Sequence, residues 1–442
     1  MFENILHQEG VISRLKSDLE GGNIAPSILF SGPTYSGKGT AALELARITS
    51  CENEAKRGNW NCSCPSCVRQ RNLVSPDLLL LGRRRFFEEI AASSGAYLRS
   101  PASEGSKMLF LRAVRKLLAR FNSILWEDDP RLGKLKTQIG VLEEDLEDVE
   151  AGGDITEPGK KCESILKKAA KLESDGLGEL IPIAQIRRAA YWSRLAPLGR
   201  HKCIIMENAE NMQEGAKNAL LKILEEPPPH LLIVLTSSRP RVLLPTMLSR
   251  LREYRFLARG PDEEKEVISR IFREPGTEAV SIDSYLSSFL PAGSGTLYLL
   301  GAFFASSVAA EAYRECRARG REASAVLIDL GKFSAAIAEK GNMGPPAGTA
   351  KEALQKILAE AGNFLAPGLF TRFVQQCSAL VSAWLRSGGP ALPGGHKSPA
   401  TIIAAELWGR ELNRAAMEND SLNISPPMAL ERLFEVLKTG ML

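Results

Sequence analysis

The sequence predicts an α/β protein whose core is a doubly wound parallel sheet arranged around a phosphate-binding loop. Five short apolar runs alternate with helical patterns in the N-terminal part, which is the rhythm of strands buried on both faces of a parallel sheet. The first run ends in a glycine-bounded loop that carries one lysine and leads into a helix. Beyond about residue 258 the rhythm stops, and apolar residues at helical spacing predict an all-helical C-terminal part.

The totals leave room for several domains and give no sign of a membrane protein. A chain of 442 residues is long enough for about two to four domains. Its 56 basic and 52 acidic residues leave a net charge of +4, so charge alone does not predict nucleic-acid binding. The N terminus lacks a basic segment followed by an apolar one, and no apolar run approaches about 18 residues. We therefore expect a cytoplasmic protein without membrane insertion.

The loop after the first apolar run has the composition of a phosphate-binding loop. Gly32 and Gly37 let the backbone curl so that main-chain N–H groups can hold an anion, and Lys38 can reach that anion. The positive end of the following helix points to the same place. The usual pattern has Ser or Thr after the lysine to hold Mg²⁺, whereas here Gly39 stands there and the hydroxyl comes at Thr40. ATP or ADP binding is predicted, and the placement of Mg²⁺ is left open.

Four of the eight cysteines follow the phosphate-loop helix closely, with the spacing C-x10-C-x-C-x2-C, at Cys51, Cys62, Cys64 and Cys67. Four thiolates suit a tetrahedral zinc ion, and thiols in a reducing compartment are more often metal ligands than disulfides. A site closed by four cysteines has no open position for water, so the predicted zinc is structural. The alternative is four reduced thiols without a metal.

A helical insertion is predicted between about residues 83 and 178, after a second strand at 78–81. One helix face is traced by Phe110, Val114, Leu117, Leu118 and Phe121. Apolar residues three and four apart over 132–149 indicate the seam of a helix pair, and we expect a helical hairpin with its tip near 128–130. The acidic run over 143–150 is typical of a solvated helix face and, as an alternative, of a docking surface.

Two later strand ends carry the other candidate site residues. In P-loop ATPases one strand ends in an aspartate that binds Mg²⁺ and a glutamate that orients water. Here that pair is Glu207-Asn208, and since the amide of Asn208 cannot accept a proton, hydrolysis should be poor. The strand at 231–235 is followed by Thr236, Ser237 and Ser238, where a hydroxyl such as that of Ser237 could contact a γ-phosphate. A simple strand-terminating turn is an equally good interpretation.

The segments SILFSGPTYSGKGT, NALLKILEEPPPH and LTSSRPRVLLPTMLSR, with the four-cysteine insert and their order, resemble the bacterial clamp-loader subunits of DNA polymerase III, which are AAA+ proteins. The resemblance covers about residues 1–84 and 180–300. It implies an AAA+ nucleotide-binding core at 1–258 (zinc module 51–67, insertion about 83–178), a helical lid at 259–300 and a helical collar for oligomerisation at 301–442. It also implies partners: other clamp-loader subunits (gamma/tau and delta) in a pentameric ring, and the sliding clamp and primed DNA through the complex.

The resemblance is compatible with two roles for this chain within a clamp loader. Motor subunits of the gamma/tau type have GKT or GKS, an Asp-Glu strand end and a lid arginine, whereas this chain has GKG, Glu207-Asn208 and Thr296. The dipeptide Ser249-Arg250, which in this family stabilises charge on the neighbouring subunit's nucleotide, is retained. This implies a delta-prime-type stator with weak or absent ATPase and with Arg250 acting in trans, unless Arg250 only closes a surface salt bridge. The alternatives are an active gamma/tau-type ATPase and, from GKGT alone, a small-molecule phosphotransferase.

Overall fold

The computed structural model describes residues 1–127, 129–152, 157–178, 180–276, 281–290, 292–347, 349–364, 369–387, 398–422 and 424–441. The chain divides into two compact units, Met1–Leu286 and Ser287–Leu442. The boundary falls within the segment predicted as a lid, so the division into core, lid and collar stays a prediction.

The N-terminal unit is built on a five-stranded sheet in the order β2-β3-β4-β1-β5, and all neighbouring strands are parallel. The strands are β1 (Ser27–Ser31), β2 (Leu78–Leu81), β3 (Lys202–Met206), β4 (Leu231–Ser237) and β5 (Arg252–Arg255). Every residue of the first four strands is buried, whereas the edge strand β5 is partly exposed. The predicted apolar runs therefore form the strands of the sheet.

Helices lie on both faces of this sheet. The helices up to the boundary between the two units are α1 (Glu9–Glu20), α2 (Lys38–Thr49), α3 (Pro65–Arg71), α4 (Phe86–Arg99), α5 (Glu104–Leu118), α6 (Arg131–Ala151), α7 (Pro158–Gly176), α8 (Ile183–Ser193), α9 (Glu214–Glu225), α10 (Pro245–Leu248), α11 (Pro261–Phe272) and α12 (Ile282–Ser287). Because successive side chains of a strand point to opposite faces, Leu79 and Ile204 pack with α4 to α9, while Leu80 and Ile205 pack with α1 and α2. The sheet is thus doubly wound, as predicted.

The insertion between β2 and α8 contains four helices, α4 to α7, rather than one hairpin. The predicted helix faces at 110–121 and 132–149 belong to α5 and α6. Leu142, Leu146 and Val149 of α6 are buried in the same core as Val114 of α5 and Ile165 of α7. The predicted tip lies in the connection between α5, which ends at Leu118, and α6, which begins at Arg131. Lys107 and Arg115 of α5 contact Glu150 near the other end of α6. The prediction lacked α4 and α7, because it rested on two apolar faces alone. Asp128 lies outside the described residues.

The second unit is helical. Its helices are α13 (Ser294–Ala318), α14 (Ala325–Lys340), α15 (Ala350–Glu360), α16 (Leu369–Ser387), α17 (Pro399–Leu422) and α18 (Pro426–Gly440). Phe304 of α13 is in edge-to-face contact with Phe373, Trp408 and Phe434, with ring centroids 5.7 to 6.2 Å apart. Within the described residues, one helix, over Gly295–Ala318, could cross a membrane by length and composition, and 67% of its most apolar window is buried inside the protein. A helix at the centre of a helical core has the same properties.

Candidate nucleotide and metal sites

The predicted phosphate loop connects the carboxyl end of β1 to the first turn of α2. Gly32 and Gly37 have φ values of 141° and 97°, which side-chain-bearing residues rarely adopt. A Cβ at Gly32 would also overlap the carbonyl oxygen of Phe256. Since α2 begins at Lys38, directly after Gly37, the loop curls around the helix N terminus as the sequence predicts. Thr40 is exposed in the first turn of the helix.

Lys38 is buried and bonded to its own loop. Its Nζ donates to the carbonyl oxygen of Gly32 at 2.7 Å, to that of Pro33, and to the Ser36 hydroxyl at 3.3 Å. Burial lowers the pKa of Lys38 to about 8, although Glu210 and Glu207 act to raise it. The ammonium group thus lies within the loop that the sequence predicts to hold an anion.

Glu207 lies beside this loop, as predicted, and against Gly39. A Cβ at position 39 would overlap Oε1 of Glu207, so this position tolerates only glycine while Glu207 stays there. The same Oε1 accepts a hydrogen bond from Arg84 Nη1 at 3.1 Å, and Oε2 is paired with Arg120. Burial acts to raise the pKa of Glu207, but Arg84 and Arg120 outweigh it and hold that pKa below its usual value. The carboxylate is therefore ionised and already paired.

These ion pairs belong to a larger group that we call the charge cluster: Arg84, Glu89, Lys116, Arg120 and Glu207. Arg84 and Lys116 both contact Glu89, with Arg84 Nη2 at 2.8 Å from Oε2. Arg120 also donates from Nε to the carbonyl oxygen of Gly82 at 2.7 Å. Side-chain exposure falls from 28% for Arg84 to 2% for Arg120. Three cations are thus packed with two carboxylates beside the phosphate loop.

The residues present do not fit a magnesium ion in its usual place. Mg²⁺ takes oxygen ligands in a near-octahedral arrangement. Position 39 offers no hydroxyl, Glu207 is paired with two guanidinium groups, and Arg84 Nη1 lies 3.5 Å from where a Cβ of residue 39 would be. A guanidinium group therefore stands beside the position from which a phosphate loop commonly holds its metal.

The neighbouring strand ends have internal partners. Asn208 has a φ of 53° and donates from Nδ2 to the carbonyl oxygen of Arg83 at 2.7 Å. Its backbone N–H donates to the hydroxyl oxygen of Thr236 at 3.2 Å. The buried hydroxyl of Ser237 accepts from the backbone N–H of Arg239 at 3.1 Å. These are the contacts of a strand-terminating turn, and a γ-phosphate contact of Ser237 stays a prediction.

Arg250 follows α10 at the edge of the core. Its Nη2 lies 2.7 Å from Oε1 of Glu225 on α9, and its Nη1 donates to the carbonyl oxygen of Thr246 at 2.6 Å. The side chain is 33% exposed. In the single chain Arg250 therefore closes the surface salt bridge that we considered as the alternative, and its guanidinium is accessible from solvent.

The four cysteines predicted to bind zinc converge. Their sulfur atoms all lie within 4.8 Å of one another, with Cys51 Sγ at 3.7 Å from that of Cys62 and 3.9 Å from that of Cys64. A tetrahedron with Zn–S bonds of about 2.3 Å has sulfur–sulfur edges of about 3.8 Å. Cys64 caps α3, and although burial acts to raise it, hydrogen bonds from the backbone, first that of Cys67, lower the pKa of Cys64 to about 6. Donor type, number and spacing all fit one zinc ion.

The family described as "DNA polymerase III, delta subunit" matches residues 7–125 and 146–259, more than half of the sequence. The chain belongs to this family. The resemblance to clamp-loader subunits of DNA polymerase III that the sequence motifs indicated is thereby confirmed. The unmatched stretch between the two segments coincides with the loop before α6 and the first two-thirds of that helix.

Curated relatives carry both subunit names. DNA polymerase III subunit gamma/tau of Mycobacterium tuberculosis is 28% identical over 155 residues, covering 33% of this chain and 26% of that protein. DNA polymerase III subunit delta' of Pseudomonas aeruginosa is 34% identical over 110 residues, covering 25% of this chain and 34% of that protein. The chain thus spans only about a quarter to a third of the length of these relatives. A solved gamma subunit-related protein from Thermotoga maritima is 19% identical with a TM-score of 0.28, too low to bear on the fold; the match covers 60% of this chain and 81% of that one.

Within this family member, the sequence motifs did not reveal four of the five charge-cluster residues. Arg84 is part of a run of three arginines, 83–85, that follows β2 after a single glycine. Glu89, Lys116 and Arg120 lie in a helical insertion with no recognisable motif. The one available signal was the arginine run itself, placed directly after a strand that pairs with β3, whose end carries Glu207.

Proposed function

We propose that this chain is a delta-prime-type stator of the DNA polymerase III clamp loader. Its AAA+ core hydrolyses ATP weakly or not at all, and it supplies Arg250 to the ATP site of a neighbouring subunit. The observation that carries the proposal is the pairing of Glu207 with Arg84 and Arg120. A carboxylate held by two guanidinium groups is a poor ligand for magnesium and a poor base for water, which are the two tasks of that strand end in active P-loop ATPases.

Two further features support the loss of hydrolysis. Asn208 donates its amide N–H to a backbone carbonyl and has no basic oxygen anion to activate water. Gly39 lacks the hydroxyl that commonly holds the metal, and Glu207 leaves no space for a side chain there. ATP or ADP binding in the loop of Lys38 is part of the proposal, without turnover.

The role of Arg250 in trans rests on its position. The guanidinium lies at the exposed edge of the core, and the partner it has in the single chain, Glu225, is itself 48% exposed. An exposed ion pair is worth about 1 kcal/mol or less, so a neighbouring phosphate can replace Glu225 as its partner at little cost. A guanidinium delivered in trans stabilises the charge of the transferred phosphoryl group.

The proposal includes the assembly that this role needs. We propose a cytoplasmic, hetero-oligomeric ring with gamma/tau and delta subunits, in which the chain helps load the sliding clamp onto primed DNA during DNA replication. The helical collar at 301–442, which lies within the unit Ser287–Leu442, supplies the contacts between subunits. The four-cysteine group holds a structural zinc ion.

The second candidate is an active gamma/tau-type ATPase. It is favoured by the glycine-bounded loop with Lys38 and by the gamma/tau relatives, which are 28% identical over 155 residues. This candidate requires that the chain itself turn over ATP. Hydrolysis by the isolated chain on the order of 1 per second, an ordinary enzymatic rate, would favour it over the stator.

The decisive experiment compares variants in a reconstituted clamp loader. We expect Arg250→Ala to lower DNA-stimulated ATP hydrolysis, because loss of a guanidinium in trans costs about 10³ to 10⁵ in rate at the site it serves. Glu225→Gln is the matched control, since it breaks the same salt bridge and keeps the arginine, and it should leave the rate unchanged. Lys38→Ala should have a smaller effect than Arg250→Ala. If Lys38→Ala abolishes hydrolysis while Arg250→Ala does not, the chain is a motor.

A further inference from the structure

The charge cluster touches the phosphate loop at one defined position. Arg84 Nη1 lies 3.5 Å from where a Cβ of Gly39 would be, and Gly39 is the first residue after Lys38 at the start of α2. In phosphate loops of NTPases, the side chain at this position helps to hold the magnesium ion that neutralises the phosphates. In this chain a guanidinium group is next to that place.

The charge cluster has more positive than negative charge. Although burial acts to raise it, the ion pairs with Arg84 and Lys116 hold the pKa of Glu89 at about 2, and the pKa of Glu207 is lowered too, so both carboxylates are ionised. Against them stand Arg84 and Arg120, which stay protonated although burial lowers the pKa of Arg120 to about 10. The third cationic side chain is Lys116, whose pKa burial lowers while Glu89 acts to raise it. The charge cluster thus has three cationic side chains that share two carboxylates. Because buried charges are normally paired, an additional anion is the ligand that this arrangement favours.

Arg84 is the member of the charge cluster that a ligand can reach. Its side chain is 28% exposed, compared with 13% for Lys116 and 2% for Arg120. Its contacts in the part of the chain that the structure describes are with Glu207 and Glu89, through Nη1 and Nη2. A guanidinium group has five N–H donors, so donors remain for a phosphate oxygen.

We propose that the phosphate loop binds a nucleoside di- or triphosphate without a divalent cation, and that Arg84 supplies the positive charge that magnesium supplies in other phosphate loops. This inference rests on the proposed binding of nucleotide at the loop of Lys38. The backbone N–H groups at the start of α2 and the ammonium of Lys38 hold the phosphates from one side, and the guanidinium of Arg84 neutralises them from the position beside Gly39.

The test is calorimetric titration of the full chain with ADP, once with EDTA and once with excess Mg²⁺. We expect dissociation constants that agree within about twofold, whereas a metal-dependent site would lose most of its affinity in EDTA. Arg84→Ala should weaken ADP binding about tenfold or more in EDTA, the value of a charge-assisted hydrogen bond. Arg84→Lys should keep part of the affinity because it keeps the charge. Arg115→Ala, which removes an arginine paired with Glu150 on α6, is the matched control and should bind as the wild type does.

Three results would overturn the inference: ADP binding that needs Mg²⁺, an Arg84→Ala variant that binds as tightly as the wild type, or a wild-type chain that binds no ADP under either condition. None of them bears on Arg250, which acts on a neighbour's nucleotide. The stator role is decided separately by the reconstituted loader. Thermal unfolding of each variant without ADP distinguishes a lost contact from a lost fold.

Discussion

The four-cysteine group and the charge cluster both bury ionisable side chains in the N-terminal unit, yet they balance charge in opposite ways. The cysteines place four sulfur ligands within 4.8 Å of one another, with the guanidinium of Arg47 at 3.4 Å from Cys67. The charge cluster combines three cations with two carboxylates that are already paired. The cysteine group thus offers ligands that suit a cation, whereas the charge cluster has more positive than negative side chains, which we propose favours an anion. The types of the buried residues, and not their number, decide which ligand each region takes.

The largest effect should come from removing the metal of the four-cysteine group. We expect about one zinc ion per purified chain, because a site of four thiolates holds zinc tightly at neutral pH. Cys67→Ser should lose the zinc and lower the melting temperature, since binding free energy at a structural zinc site is folding free energy, about 10 kcal/mol in small zinc modules. Elemental analysis and thermal unfolding measure both results.

Cys162→Ser is the control for this experiment, because Cys162 is buried in α7 and belongs to the helical core. It should keep its zinc. Substoichiometric zinc in wild-type protein expressed in zinc-replete medium would show that the cysteine group is not a metal site. It would also contradict the proposed difference between the cysteine group and the charge cluster in the ligand that each takes.

An effect of intermediate size is expected at the centre of the charge cluster. Glu207→Gln removes the carboxylate that faces Arg84 and Arg120 and leaves two guanidinium groups without their partner. Breaking one side of a buried ion pair costs about 3 to 5 kcal/mol. The free energy of unfolding, from urea titration at neutral pH, should fall by roughly this amount.

Glu150→Gln provides the comparison on the same protein. Its carboxylate pairs with Arg115, but the Glu150 side chain is 42% exposed. The free energy of unfolding should therefore fall by about 1 kcal/mol or less. Equal losses for the two variants would mean that Glu207 is solvated and that the charge cluster does not hold it.

The same two regions show why one site could be predicted from the sequence more completely than the other. Cys51 to Cys67 lie within seventeen consecutive residues, so spacing alone brings the ligands together. The glycines of the phosphate loop and the apolar runs are local signals as well, and the runs predicted as strands do form the sheet. The partners of Glu207 are 123 and 87 residues away, at Arg84 and Arg120, and only the fold brings them to it.

The helical insertion illustrates the same limit. Its apolar spacing correctly identified the buried faces of α5 and α6, because a helix face follows from local periodicity. The turns between helices depend on which faces are buried against the sheet, and that information is not local. For this reason the predicted hairpin lacked α7 and also α4, which carries Glu89 of the charge cluster.

The smallest effect is a pH dependence that comes from Lys38. Its pKa is lowered by burial from 10.5 to about 8 in the folded chain, whereas the unfolded chain keeps the ordinary value. Below about pH 8 Lys38 is protonated in both states, and the folded state carries the full cost of burying the ammonium. Between about pH 8 and 10.5 the unfolded state binds more protons, so the stability of the folded chain rises with pH through this window.

We therefore expect the wild type to gain about 1 kcal/mol or more relative to Lys38→Met between about pH 7.5 and 10, measured by urea unfolding at each pH. The difference between the two chains removes the contribution of every other titrating group. An anion in the loop favours the charged form of Lys38. Bound ADP should therefore shift the pH range over which the stability rises to higher pH. A difference that stays constant with pH would mean that the ammonium is solvated, and the region around the phosphate loop would then carry less buried positive charge than the structure indicates.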